Sequence, residues 1–417
     1  MIKNICVLGL GYIGLPTAVL FSLYGHNVVG VDINKEIVDK VNNGKIITQE
    51  SNLGNLVNYV VSRGNLVASN TPRESDVFII SVPTPIKENK SADMNYVISA
   101  VKSILKYLKK GNIVILESTS PVGTTEEIIK PIIEESGFQV GSDILLGYSP
   151  ERVIPGNIIY ELKNNDRVIG GINEKSAKEI EKIYKTVVDG NMHLTNCKTA
   201  EICKLMENIY RDVNIALANE FLLICDKLDI NGWEAIKYSN NHPRVNIHTP
   251  GPGVGGHCLA VDPWFIIDKE PCLSKIIKLS RNINDYMANY VYNSIEKILE
   301  QNTNKQITIL GIAYKPNIDD IRESPIIKLI DNLLKNNYSV KVFDPFVKDF
   351  YLNEKDLLSA CKDSDILILG VNHDYFKHLP LDLIKKEMRG NIILDTRNCL
   401  DEKEIMNAGF VYKLLGC

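Results

Sequence analysis

Residues 255–262 read GGHCLAVD: a single cysteine behind two glycines and a histidine, with an aspartate four residues further on. A buried structural thiol has no use for that setting, whereas a reactive thiol needs backbone room for a substrate and a neighbour that manages protons. His257 cannot share a metal ion with its immediate neighbour Cys258, and the nine cysteines are scattered singly without a CxxC, so neither a metal site nor a disulfide framework is expected. A second set of groups lies in TAEICKLMENIYRDVNIALANEFLLICDKL (199–228), which holds no Gly or Pro and repeats apolar residues at helical spacing. There Lys204, Asn208 and Arg211 stand at i, i+4 and i+7, so an amine, an amide and a guanidinium face one direction, with Ile202, Leu205 and Ile209 opposite. A solvated polar face would show the same pattern.

A third set opens the chain. Gly9, Gly11 and Gly14 form G-x-G-x-x-G between a strand-like run and a helical run beginning near Pro16, and Asp32 closes the second strand 18 residues after Gly14. Glycines at those places permit a tight turn and close approach of a pyrophosphate to a helix N-terminus, and the carboxylate accepts from a ribose 2′-hydroxyl. An aspartate repels a 2′-phosphate, so NAD is expected rather than NADP. Two further strand ends, SVPTP (81–85) and ESTSPVG (117–123), offer Thr84 and Thr119 as cofactor contacts, with plain turn chemistry around Pro83, Pro85 and Pro121 as the alternative.

The elements that must position these groups follow from the rhythm of the chain. NICVLGL, VVGVDI (28–33), VFIISV (77–82), NIVILES (112–118) and ILLGYS (144–149) alternate with helical patterns, which predicts a parallel sheet with helices on both faces. The strand rhythm returns in QITILGIAY (306–314), SVKVFDP (339–345), DILILGV (365–371) and NIILDT (391–396), after more helix beyond 274. The expected fold class is therefore α/β: two Rossmann-like doubly wound domains joined by a long central helix and a helical middle domain. The boundaries are set at 1–198, 199–300 and 301–417.

Composition narrows the partners. With 417 residues, 45% hydrophobic and 24% charged, the chain reads as globular, and its 47 Lys+Arg against 51 Asp+Glu give a net charge of -4 without long blocks of either sign. Neither nucleic acid nor a membrane surface is expected as a partner. The opening MIKNICVLGLGYIGLP lacks the features of a signal peptide, no apolar run reaches transmembrane length, and single thiols suit a reducing cytoplasm.

Taken in order, the glycine motif, ESTSPVG, YSPERVIPG (148–156), AEICKLMEN (200–208), GPGVGGHCLAVDPWF (251–265) and YKPNIDDIRESP (314–325) resemble the nucleotide-sugar 6-dehydrogenases, the UDP-glucose/GDP-mannose dehydrogenase family, over essentially the whole chain. Within that family the UDP-glucose enzymes usually carry Pro-Lys-Asp after the cysteine segment and an aromatic residue after the glutamate of the ERV block. This chain has Ala260-Val261-Asp262 and Arg152 there. With NNHPRVN (240–246), those departures resemble the branch acting on 2-acetamido sugars, so a UDP-N-acetyl-sugar is the implied substrate.

The resemblance implies a chemistry. Oxidising a primary alcohol to a carboxylate removes four electrons, and each NAD accepts one hydride, so an aldehyde-level intermediate must be held; Cys258 does this as a thiohemiacetal and then a thioester. Lys204 shuttles the alcohol proton and steadies the oxyanion, with Asn208 beside it; Asp262 orients Lys204 or a water if the segment turns back; Glu151 handles water. Gly255 and Gly256 are expected to leave space for the sugar. NAD is implied to lie on Gly9, Gly11, Tyr12, Ile13, Gly14 and Asp32, with Thr84, Thr119 and, from the far domain, Arg322. The UDP-sugar is implied to contact Arg152, Val153, Lys204, Asn208 and Arg211 from the first part of the chain. His242, Arg244, Gly255, Tyr314 and Lys315 complete that set. The family's pairing through its middle region implies a homodimer.

Two other classes remain open from the sequence. A single-step dehydrogenase of the β-hydroxyacid type would share the first domain and a helix-borne lysine, with no use for Cys258 or the third domain. A non-catalytic nucleotide-sugar sensor would keep the fold and tolerate loss of the thiol and the lysine.

Overall fold

The computed structural model describes residues 2–46, 52–153, 156–300 and 305–417, so Ile154 and Pro155 of the YSPERVIPG block lie outside the described residues. Two compact units result, one of Met1–Glu207 with Trp264–Pro271, the other of Asn208–Pro263 with Cys272–Cys417. Their boundary falls inside one uninterrupted helix, Cys197–Lys227, close to the span read from the lack of Gly and Pro.

The first unit is built on eight strands: β1 Asn4–Leu8, β2 Asn27–Val31, β3 Leu66–Ser69, β4 Val77–Ile80, β5 Ile113–Leu116, β6 Leu145–Tyr148, β7 Arg167–Gly171 and β8 Met192–Asn196. Their order is β3-β2-β1-β4-β5-β6-β7-β8, and only the β6–β7 pairing is antiparallel. VFII and IVIL are buried at every residue because helices cover both faces, which is why these strands read as continuous apolar runs. The helix Gly14–Leu23 is likewise buried from Gly14 to Ser22, and its first turn follows directly on the glycine motif. Three strands escaped the sequence reading. LVAS is only four residues long, RVIGG carries two glycines and an arginine, and MHLTN lies at the sheet edge, exposed or half-buried throughout.

A polar network is sealed into this unit. Glu117, at the end of β5, accepts from Tyr184 Oη at 2.7 Å, from Arg167 Nη1 at 3.2 Å and from Thr17 Oγ1 at 3.2 Å. Arg167 also lies over the Tyr184 ring, 4.2 Å from its centre. Burial raises the Tyr184 phenol well above its ordinary range, with the Glu117 charge adding to the effect. The network ties Thr17 of the glycine-motif helix to the first residue of ESTSPVG.

The second unit carries a five-stranded parallel sheet, β9 Gln306–Leu310, β10 Ser339–Phe343, β11 Ile366–Leu369, β12 Ile392–Asp395 and β13 Val411–Leu414, in the order β10-β9-β11-β12-β13. Four of the five were read from the sequence; VYKL alternates exposed and half-buried residues and gave no apolar run. The helix Pro325–Lys335 starts where Ser324 accepts from Ile326 N–H at 3.3 Å and Pro325 takes the first helical position, the start signal contained in ESP. Lys275–Ile298 packs along it and shares its core with Leu222 and Trp233, whose indole N–H donates to the Leu415 carbonyl at 2.7 Å. An α/β chain with two sheets and a helical middle is thus what the sequence pattern predicted.

Candidate active site

At the glycine motif the backbone is shaped by what a side chain would strike. Gly9 has φ +91°, and a Cβ on Gly14 would meet the Gly9 carbonyl oxygen at 1.9 Å, so the turn closes only with glycine at both places. A Cβ on Gly11 would meet nothing within 4 Å, which leaves that stretch of backbone open to a ligand. Asp32 is drawn to the same turn: its Oδ2 accepts from Leu10 N–H and its Oδ1 from Asn34 N–H, each at 2.9 Å. Tyr12 packs on the unit's core, and Ile13 precedes the helix. The residues fit a dinucleotide, with bare backbone for a pyrophosphate and a held carboxylate at the end of β2 for a ribose. Thr84 and Thr119 are brought together, Thr84 Oγ1 donating to the Thr119 carbonyl at 2.6 Å.

Lys204 and Asn208 are both buried on the long helix, while Arg211, one turn on, is exposed. A solvated polar face is therefore not the reason for the first two; buried polar groups need partners. Lys204 Nζ lies 3.3 Å from Glu151 Oε1, and Glu151 Oε2 accepts from Val153 N–H at 2.9 Å, so the ERV turn presents its carboxylate to the lysine. Arg152 points its fork elsewhere, with Nη2 on Glu207 at 2.7 Å and Nη1 on the Asp166 carbonyl at 3.1 Å.

The segment after Cys258 does turn back. Its carbonyl accepts from Val261 N–H at 2.9 Å and Asp262 N–H at 2.8 Å, a helical turn leading into the helix Asp262–Lys269. The buried Asp262 carboxylate accepts from the Asn208 amide, whose oxygen accepts in turn from Arg211. Ahead of the cysteine the loop is pinned by Gly251 N–H donating to Asn219 Oδ1 at 2.9 Å, and Asn219 donates to Asn284 at the same distance. A Cβ on Gly256, which has φ +88°, would strike the Tyr314 ring at 2.8 Å, and one on Gly255 the Glu323 carbonyl at 2.6 Å, so the protein's own packing requires glycine at both places.

That packing gathers groups the sequence reading had not joined. Arg322 forks onto Asp320, Nε at 3.0 Å and Nη2 at 2.6 Å, and its Nη2 also lies 3.0 Å from His257 Nδ1. The Tyr314 ring meets His257 edge-on at 6.5 Å. Asp320, beside His257, holds the imidazole up at about 9, with the Cys258 side chain adding to the effect and burial opposing it. Burial would raise the Asp320 carboxyl, but the bonds from His257 and Arg322 hold it well below the usual range. Burial pushes the Tyr314 phenol up to about 12.

The remaining candidates are more dispersed. His242 and Arg244 share an exposed turn, joined by Arg244 N–H to His242 Nδ1 at 3.3 Å, and Lys315 is half-buried beyond β9. Sequence reasoning passed over Arg397, which donates from Nε to the Gly370 carbonyl at 3.0 Å and places Nη1 2.9 Å from where a Gly251 Cβ would stand. Its signal was DTRN at the carboxyl edge of β12, where α/β sheets bind ligands.

The glycine turn, its carboxylate and the second α/β sheet define a dinucleotide-dependent oxidoreductase with an added nucleotide-binding domain. Three family descriptions match in succession: the NAD binding domain of the UDP-glucose/GDP-mannose dehydrogenase family at residues 3–188, its central domain at 198–286 and its UDP binding domain at 308–402. The chain belongs to the UDP-glucose/GDP-mannose dehydrogenase family. It is similar to the UDP-N-acetyl-D-mannosamine dehydrogenase of Methanococcus aeolicus, at 46% identity over all of this chain and 95% of the relative. The solved UDP-D-ManNAc dehydrogenase of Pyrococcus horikoshii superposes with a TM-score of 0.94 at 39% identity, covering 99% of each chain. An NDP-N-acetyl-D-galactosaminuronic acid dehydrogenase of Ralstonia nicotianae is 41% identical, covering 97% of each chain. The protein is an NAD-dependent dehydrogenase, and the single-step and non-catalytic alternatives fall away. Among the described residues, no helix is long and apolar enough to cross a membrane.

Proposed function

We propose that the protein oxidises UDP-N-acetyl-D-mannosamine at C6 to UDP-N-acetyl-D-mannosaminuronate, using two NAD and one water per acid, with the sugar held covalently on Cys258. The observation that carries this reading is the turn from Cys258 to Asp262, which sets a buried carboxylate one helical turn from the thiol and bonds it to Asn208. NAD would supply the acceptor for the hydride leaving C6. Gly9, Gly11, Tyr12, Ile13 and Gly14 would hold its pyrophosphate and Asp32 its ribose, with Thr84, Thr119 and Arg322 as further contacts. Lys204, paired with Glu151, shuttles the alcohol proton and steadies the oxygen at C6; Asn208 and Asp262 fix the water that ends the reaction. Arg152, Val153, Arg211, His242, Arg244, Tyr314, Lys315 and the backbone at Gly255 bind the nucleotide sugar. In domain terms, 1–198 binds NAD, 199–300 carries the cysteine and lysine, and 301–417 binds UDP.

The 2-acetamido sugar is supported by Ala260-Val261-Asp262 and Arg152 and by the names of similar proteins on both the mannosamine and galactosamine sides. Cys258→Ala is expected to abolish uronate formation while leaving the fold and NAD binding intact. Acid formed at the unmodified rate by that variant would remove the covalent route.

The reading extends to a homodimer in the cytoplasm. Met206, Tyr210, Leu217, Phe221 and Ile224 are all exposed, and their spacing of three, four or seven puts them on one stripe of the long helix, with the exposed Leu228 just past its end. Ile276 and Leu279 are exposed on the helix Lys275–Ile298. Light scattering is expected to give twice the chain mass at micromolar concentration, and Leu217→Glu with Phe221→Glu to give the chain mass.

A further inference from the structure

Two ion pairs join the ERV turn to the long helix, and the proposed chemistry uses only one of them. Glu151 Oε1 meets Lys204 Nζ at 3.3 Å, with both side chains largely buried. The next residue of the turn, Arg152, meets Glu207 Oε1 at 2.7 Å, and these side chains are 33% and 35% exposed, open enough for a ligand to reach. Lys204 and Glu207 stand three apart, so they are neighbours on the helix surface, with Cβ atoms roughly 5–6 Å apart. A partly exposed ion pair contributes little to stability, so stability does not explain its place beside the lysine. Arg152 is steadied from the other side: Nη1 donates to the Asp166 carbonyl at 3.1 Å, and its own carbonyl accepts from Asn165 Nδ2 at 2.8 Å. Those contacts leave further N–H donors of the fork for a ligand.

We propose that Arg152 and Glu207 together recognise the 2-acetamido group of the sugar, Arg152 donating to its carbonyl and Glu207 accepting from its N–H, which makes Glu207 a specificity-determining residue. The proposal rests on the reading above, in which Lys204 acts at C6, and deepens it. A secondary amide in its trans form points its C=O and N–H in opposite directions. A cation and an anion that face each other offer the matching partners. The amide enters between them, and the direct contact of 2.7 Å gives way to guanidinium, carbonyl, N–H and carboxylate in a row. Each charge keeps a hydrogen-bonded partner as water leaves, which a desolvated charge requires. Position agrees with this chemistry. C6 hangs on C5, and C5 lies across the pyranose ring from C2, so a lysine at C6 puts the C2 substituent about one ring's width away. Glu207, one step along the same helix surface, stands at that separation.

Neither half of the pair would discriminate alone. A lone guanidinium accepts any acceptor, a C2 hydroxyl or a diphosphate oxygen included, and a lone carboxylate repels the diphosphate. Together they are neutral, and a ligand that offers only an acceptor takes Arg152 at the cost of leaving Glu207 without a donor. A C2 hydroxyl has its donor and acceptor on one atom and cannot span the parted pair as an amide does, so UDP-glucose leaves the pair closed.

The test is initial-rate kinetics, followed as NADH, with UDP-N-acetyl-D-mannosamine, its gluco and galacto counterparts, and UDP-glucose. Wild type decides the underlying reading first: if it oxidises none of the acetamido sugars, or UDP-glucose as readily, that reading falls and this proposal with it. On the acetamido sugar that wild type uses, Glu207→Ala is expected to raise KM by roughly tenfold more than on UDP-glucose. KM rather than kcat should carry the change, because C2 makes and breaks no bond and its substituent is held alike in the bound sugar and in the transition state. Glu207→Gln keeps an acceptor oxygen and should recover part of the loss. An equal change on both sugars, as a merely structural contact would give, or no change at all, would overturn the role of Glu207 and leave the substrate reading standing. A 2-O-acetyl ester analogue keeps the carbonyl and lacks the N–H, so on it the KM values of wild type and Glu207→Ala should converge. A gap that persists with the ester would mean that Glu207 acts only through Arg152, and would overturn the direct contact. Alanine suits a helix, and melting by circular dichroism checks the fold; if Glu207→Ala does not fold, Glu207→Gln decides by the same comparison of sugars.

Discussion

Asp32 shows how one side chain can both shape a turn and choose a cofactor. Its two oxygens already accept from Leu10 and Asn34 N–H groups, which fixes the carboxylate and leaves its remaining lone pairs for a ribose. Asp32→Ala removes the acceptor and the repulsion of a 2′-phosphate together, so the ratio of kcat/KM for NAD over NADP should fall by roughly tenfold or more. An unchanged ratio would mean that another residue reads the ribose. His257 and Asp320 make a second prediction, on stability. The imidazole is raised from 6.5 to about 9, so its contribution is fully present below 6.5 and is lost as the pH rises through about 9; the lowered Asp320 carboxyl contributes above its ordinary value and fails only in acid. The melting-temperature advantage of wild type over His257→Gln should therefore shrink between about pH 7 and 10, and an advantage that grows with pH would reverse the assignment. Legibility at this scale followed sequence distance. Cys258, Lys204 and Asn208 could be found from local spacing, because a turn or a helix face is a local property. Asp320 could not, since its meeting with His257 depends on two glycines packing against Tyr314, a tertiary event with no periodicity.

Among the elements, the helix Cys197–Lys227 was the most legible, since 30 residues without Gly or Pro have few other conformations to adopt. What the sequence concealed was which of its faces is buried: a polar stripe with Lys204 and Asn208 looks solvated until Glu151 and Asp262 arrive from elsewhere to satisfy it. Another hidden partner is Glu201 on the same helix. It accepts from Gly123 N–H at 2.6 Å and from Thr125 N–H at 2.9 Å, fastening the end of ESTSPVG to the turn before Lys204. The Glu117–Arg167 pair fastens the other end of that motif. Both partners are buried, so removing one leaves an uncompensated charge, and Arg167→Ala should destabilise the protein by about 3–5 kcal/mol. Urea unfolding would check it; a loss under about 1 kcal/mol would mean that water or relaxation satisfies Glu117 without the arginine.

At the scale of the whole molecule, a four-electron oxidation needs a chain that binds a cofactor, a nucleotide sugar and a covalent intermediate, and the family's NAD, central and UDP domain descriptions follow one another along these 417 residues. Two consequences are measurable together. The first is stoichiometry: two NADH should appear for each acid formed, whichever sugar is used, and one NADH per product would indicate release at the aldehyde. The second is the choice of sugar. Arg152 stands where the UDP-glucose enzymes usually have an aromatic residue, and its fork rests on Glu207 and the Asp166 carbonyl. A ligand must compete with a carboxylate for that guanidinium, which an acetamido carbonyl or a diphosphate oxygen can do as an acceptor. A sugar lacking the acceptor leaves the fork on Glu207 and forgoes the contact, a difference of roughly 1–3 kcal/mol for a contact that the bound sugar buries. UDP-glucose should accordingly be poorer than UDP-N-acetyl-D-mannosamine by roughly ten- to a hundredfold in kcat/KM. Arg152→Phe then assigns the contact: a loss confined to the acetamido sugar places the arginine on that group, and an equal loss on both sugars places it on the diphosphate. Wild-type enzyme that turns over UDP-glucose as readily as the acetamido sugar would sink the substrate assignment and leave the two-step oxidation standing.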